Sequence, residues 1–191
     1  MRRTSTITAA TLIALAFGSP AAPARHLRPP HQTVHDSQEL KRLFEDDQAE
    51  RAREPIDWSV VGPRDRARLN RVKDLFARSA LHTANDYYHA AMVLQHGEAP
   101  EDFLLAHEFC VVAIIKGRNG RDTRSLAAAA EDRFLMNIGR PQRFATQFRS
   151  DGGGPMKLYA VDTSVTDALR RQMDTPSLAE AKAQEAALNR K

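Results

Sequence analysis

The chain has 191 residues, 28 of them basic and 24 acidic, with 42% hydrophobic but only 6% aromatic residues. Lys and Arg are interspersed with Asp and Glu, which disfavours the clustered cationic face that nucleic-acid binding needs. The single cysteine, Cys110, excludes an internal disulfide.

The N-terminus has the layout of a secretory signal. Arg2 and Arg3 supply the positive start, Ile7 to Gly18 the apolar core, and Ala22-Pro23-Ala24 the small residues of a cleavage site. That core is shorter than the roughly 20 apolar residues of a membrane span. No cysteine stands at the cleavage site to carry a lipid. Residues 1–24 hold two of the 28 basic residues and none of the acidic ones, so removing them leaves 26 against 24. The expectation is an exported protein, in the bacterial periplasm.

Residues 25–35, with Pro29-Pro30, read as a flexible lead, and 36–191 as a single helical domain. A first helix is predicted from Asp36 or Ser37 to Arg53, with Leu40, Leu43 and Phe44 at helical spacing. Glu54-Pro55 stops it. Ile56 to Gly62 reads as an irregular connector carrying the only tryptophan, Trp58. A second helix is predicted from Pro63 to Ala80, on the stripe Leu69, Val72, Leu75 and Phe76. The third covers Ala84 to Gln95 and closes at Gly97, the fourth runs from Pro100 to Gly117, and the fifth from Asp122 to Ile138.

Gly139 to Thr163 breaks the pattern. It holds Gly152-Gly153-Gly154-Pro155 and two β-prone runs, Arg143 to Phe148 and Met156 to Val161. A loop this long in a compact domain is typically functional or disordered. Helices resume from Ser164 to Gln172 and from Pro176 onward. The class is therefore all-α, with a long irregular C-terminal loop holding at most short strands.

Two resemblances sharpen this. Asp102, Ala106, Phe109, Ala113 and Gly117 stand in the order of one unit of the Sel1-type tetratricopeptide-like repeat. Such packing brings paired helices close, although one unit falls short of the three or so that a solenoid needs. Asp47-Gln48 with Arg51, then Gln95-His96, Asp132-Arg133, and Gly139 with Gln142 and Thr146-Gln147, resemble the spaced elements of an uncharacterised bacterial family, a domain of unknown function. The resemblance covers Phe44 to Asn189 and brings no activity with it. Where that family carries a central glycine, this chain has Ala145. If the position requires a positive φ, alanine strains it.

These residues form the candidate polar cluster, joined by His107 on the fourth helix. Asp47, Gln48 and Arg51 share a helix face and either line a pocket or form an exposed pair. Asp132 either orients His96 or His107 as an acid–base partner or joins an ion pair with Arg51 or a neighbour of Arg133; the structural pairing is preferred. The side-chain amides and hydroxyl of Gln142, Thr146 and Gln147 suit holding a polar ligand. His107 lies roughly 10 Å along the helix axis from Pro100, at about 1.5 Å per residue, which makes a metal shared with His96 awkward. No metal and no cofactor are expected. Cys110, in Phe109-Cys110-Val111-Val112, reads as a buried core residue.

The expected function is a noncatalytic binding or interaction module of the bacterial envelope. It would take a protein, a peptide or a small polar ligand in the groove of helices three to five. The alternative is a hydrolase with a His/Asp acid–base pair near that groove, where Arg133 or Gln147 steadies developing charge.

Overall fold

A computed structural model describes residues 34–150 and 152–190. The predicted signal at 1–24 and the lead up to residue 33 lie outside the described residues. The order is α1 (Gln38–Arg51), α2 (Trp58–Ala77), α3 (Ala84–Leu94), α4 (Pro100–Ile115), α5 (Arg121–Asn137), β1 (Phe148–Arg149), β2 (Lys157–Leu158), α6 (Asp167–Gln172) and α7 (Leu178–Leu188). The all-α class holds. Among the described residues no helix is long and apolar enough to cross a membrane.

Capping residues fix where the helices start. The Ser37 hydroxyl accepts the Leu40 N–H at 3.3 Å, and Thr83 with Asp86 forms a reciprocal capping box on α3. Asp86 also accepts the Ser37 N–H at 2.7 Å and the His82 N–H at 2.9 Å, so one buried carboxylate ties the starts of α1 and α3 together.

The core runs between α3, α4 and α5, with α1 and α2 laid across α3. Ala90, Ala91, Ala106, Ala113, Ala127 and Ala130 are buried in it, and small side chains let the three helices come close. Leu40, Val72 and Leu94 are at most 1% exposed, and burying each such side chain contributes about 1.5–3 kcal/mol. At the α3–α4 turn, a Cβ on Gly97 would lie 2.5 Å from an Asp102 carboxylate oxygen. Gly97 is therefore needed for close approach, whereas Gly117 ends α4 at φ +103°.

Three expectations change. The residues predicted as a connector before Pro63 are helical: α2 starts at Trp58 because Asp57 caps it, accepting the Ser59 N–H at 3.0 Å. Pro63 lies inside the helix, where it removes one backbone hydrogen bond, and the helix runs through it. Of the two β-prone runs, strands form only at Phe148–Arg149 and Lys157–Leu158, which pair antiparallel with Phe148 opposite Leu158, while Val161 makes an isolated parallel bridge with Gln142. Residues 143–147 turn inward toward α5 instead. Finally, α6 begins at Asp167, because Asp162 accepts the Ser164 N–H and hydroxyl in a local turn and Thr166 supplies the cap.

The ribbon is tied to the final helix. The Asn189 side chain donates to the Met156 carbonyl at 2.7 Å and accepts the Met156 N–H at 2.8 Å.

Candidate functional site

Asp47, on the inner face of α1, is fully buried. It accepts Arg51 Nη1 at 2.7 Å, Gln48 Nε2 at 2.8 Å and His96 Nδ1 at 3.1 Å. A carboxylate only accepts, so Nδ1 carries the hydrogen and Nε2 is left as the other polar atom of the ring. His96 lies just past the end of α3 with its side chain 15% exposed. The predicted Asp47–Arg51 pair thus exists, but it is buried beneath a histidine and is no exposed surface pair.

Charge spreads from there. Arg51 donates to both oxygens of Asp65 on α2, at 3.2 and 2.7 Å. Arg68 binds Asp65 at 2.7 Å and Glu50 at 2.6 Å, and Arg64 binds Glu50 at 2.6 Å. The bond from Arg68 holds the Glu50 carboxyl below its usual range. Burial works to raise the Asp65 carboxyl, but Arg51 and Arg68 outweigh it and keep it low. Glu50, Asp65 and Arg68 were not singled out from the sequence. The available signal was spacing: Glu50 follows Asp47 by three positions, as Arg68 follows Asp65.

On the other side of His96, the long loop is organised by one carboxylate. Asp132 is fully buried and accepts the N–H groups of Arg143 (2.6 Å), Phe144 (2.9 Å) and Thr146 (3.1 Å), and the Thr146 hydroxyl (2.8 Å). Burial pushes its carboxyl above the usual range, against the pull of these donors. Gln142, also fully buried, acts as a piece of strand. Its Oε1 accepts the Gln147 N–H at 2.8 Å, and its Nε2 donates to the carbonyls of Gln147 and Tyr159, both at 2.9 Å.

Gln147 links loop and helices: its Nε2 donates to the Thr146 hydroxyl at 3.0 Å, while its Oε1 accepts Arg133 Nε at 3.2 Å. Arg133 Nη1 donates to the Gln95 carbonyl at 2.6 Å, at the C-terminal end of α3. Its guanidinium also stands 5.7 Å from the centre of the Phe103 ring. Hydrogen bonds and the Gln95–His96 peptide therefore connect Gln48, Asp47, Arg51, His96, Gln95, Arg133, Gln147, Thr146, Asp132 and Gln142.

Two expectations are corrected here. Asp132 orients neither His96 nor His107, and among the described residues it forms no ion pair with an arginine; its hydrogen bonds go to the loop, because three backbone N–H groups converge on it. His107 stands apart from the cluster, with Nδ1 at 3.0 Å from the Ala127 carbonyl, where it joins α4 to α5. Its partner is the backbone of the facing helix, a hydrogen-bonded structural role.

Two cavities flank the network. A groove of about 380 Å³ between α3 and α5 is lined by Tyr88, Met92, Gln95, Leu126, Ala129 and Thr146, among others. A second, of about 410 Å³, lies beside His96 and includes Trp58, Arg66, Asn70 and Glu98 in its wall. Trp58 is 61% exposed. Cys110 is buried, and burial pushes its thiol up to about 12, so at neutral pH it stays protonated and poorly nucleophilic. Among the described residues no group of three or more His, Cys, Asp and Glu is arranged to hold a metal ion.

No family model, curated protein or solved structure matches the chain.

Proposed function

We propose that this chain is an exported, noncatalytic binding module of the bacterial envelope. It takes a peptide, a protein segment or a small polar ligand into the groove between α3 and α5. The observation that carries this reading is how the loop's polar side chains are used. Asp132, Gln142 and Gln147 direct their hydrogen bonds to the loop itself and to neighbouring helices, which fixes the wall containing Thr146 and Gln95 before any ligand arrives. A preorganised wall with an apolar floor and a few polar groups suits recognition. Export is supported by the arrangement of residues 1–24.

The test is a thermal-shift screen against envelope extracts and peptides, repeated on Ala129→Leu, which narrows the groove. Ligands that raise the melting temperature of the parent protein are expected to lose that effect in the variant. If the shifts persist unchanged, the groove is not the site.

A second reading has one observation in its favour. The buried Asp47 holds His96 Nδ1 at 3.1 Å, an arrangement that suits a general base acting through Nε2. In a hydrolase of this kind, Nε2 would take a proton from water as the oxygen attacked an ester or amide carbonyl, and would return it to the alcohol or amine that departs as the C–O or C–N bond breaks. Asp47 fills the orienting role expected of Asp132. Hydrolysis of a panel of chromogenic esters and amides, with loss in both His96→Ala and Asp47→Asn, would support it; activity that survives His96→Ala excludes it.

A further inference from the structure

Arg51, Arg64 and Arg68 each meet at least one carboxylate, but Arg133 does not. Its acceptors are the Gln95 carbonyl and the Gln147 amide oxygen, both neutral, and no carboxylate among the described residues forms an ion pair with it. Asp132, its neighbour in sequence, is turned to the loop. Burial weakens the hold of Arg133 on its proton, and the nearby charge of Arg51 acts the same way. The partial negative end of α3, at Gln95, offsets the charge only in part. A half-buried guanidinium with only neutral acceptors is costly unless an anion joins it.

The same bonds fix its geometry. Nε and Nη1 are taken up by two anchors on different elements, so the plane of the guanidinium is held. Nη2 takes part in neither bond, and among the described residues nothing accepts from it. His96, whose Nε2 is also free of Asp47, directly follows the residue whose carbonyl Arg133 holds.

We infer that Arg133 anchors an oxyanion subsite, where Nη2 donates to a carboxylate or phosphate group of the ligand at the His96 end of the polar network. The fixed, planar donor set of arginine suits such oxygens. This inference rests on the binding role proposed above and names the chemistry of one end of the ligand.

The experiment follows the melting temperature of the purified chain during titration with inorganic phosphate and, separately, with acetate. Ionic strength is matched with chloride. The parent protein should show a saturable rise with at least one of the two anions, and which one responds identifies the group. Arg133→Gln should retain only the shallow, non-saturating salt effect. Arg133→Lys should need at least about tenfold more anion for half-saturation, because it keeps the charge but loses the fork. If Arg133→Gln does not fold, the lysine variant decides alone.

No saturable rise with either anion, or equal half-saturation in parent and lysine variant, overturns the subsite. The outcome also separates from that of the groove. An absent anion response with groove ligands still binding removes only this inference. A present response, with ligand shifts surviving Ala129→Leu, removes only the groove.

Discussion

A single carboxylate decides the shape of the loop. Four donors from residues 143–146 converge on Asp132, and Asn in its place would turn an amide donor toward some of them. Leaving buried donors unmet costs about 1–3 kcal/mol. Asp132→Asn should therefore lower the unfolding free energy by about 2 kcal/mol or more in urea titration. Ala145 is completely buried at φ 59°, in the left-handed region where alanine is strained. Glycine there relieves strain but frees the unfolded chain, and the two effects are each about 1 kcal/mol. Ala145→Gly should stay within about 1 kcal/mol of the parent, while Ala145→Val, branched and overpacked, should cost at least about 2 kcal/mol. Both are read from the same urea curves. Asp132, Gln142 and Gln147 stand together in the candidate cluster drawn from the resemblance. Their roles stayed hidden because most of their partners are backbone N–H and C=O groups, which are the same at nearly every position.

At the scale of elements, α1, α2 and the end of α3 are joined by charge as much as by apolar contact. The Glu50 and Asp65 carboxyls have lower pKa values folded than their ordinary 4.5 and 3.8. The sign follows: the stability they supply is complete above those ordinary values and is lost as pH falls through the lower folded ones. Unfolding free energy should therefore drop on acidification below about pH 4.5, and Glu50→Gln should flatten part of that drop, as measured by urea titration at each pH. Helix positions were largely legible, since Ser37, Pro100 and the apolar stripes stand in the sequence where the helices need them. The start of α2 was misread because Pro63 is a conspicuous signal and the Asp57 cap a quiet one. The partnership of Asp47 with His96 spans 49 positions and joins different helices, which no local spacing reveals.

For the whole molecule, the all-α class followed from composition and periodicity, while the path of the loop depended on long-range contacts that only the folded chain displays. The two parts of that loop are held differently: 142–147 lies against α5, whereas the paired ribbon is fastened through Met156 to Asn189 and leaves Gly152 and Gly153 exposed at its turn. Within this loop trypsin should cut after Arg149 well before Arg143, because the amide following Arg143 is held by Asp132. Mass spectrometry of early fragments checks this, and in Asp132→Asn the two cuts should appear together.

The link between Asn189 and Met156 has its own consequence. A two-stranded ribbon carries unpaired backbone groups along its borders, and such borders invite a stray strand from another molecule. By meeting both the N–H and the C=O of one residue next to β2, the side chain that caps the end of α7 imitates a third strand for the length of a single residue. The final helix thereby acts as a guard against edge-to-edge pairing, a duty that a helix rich in alanine and glutamate would not otherwise suggest.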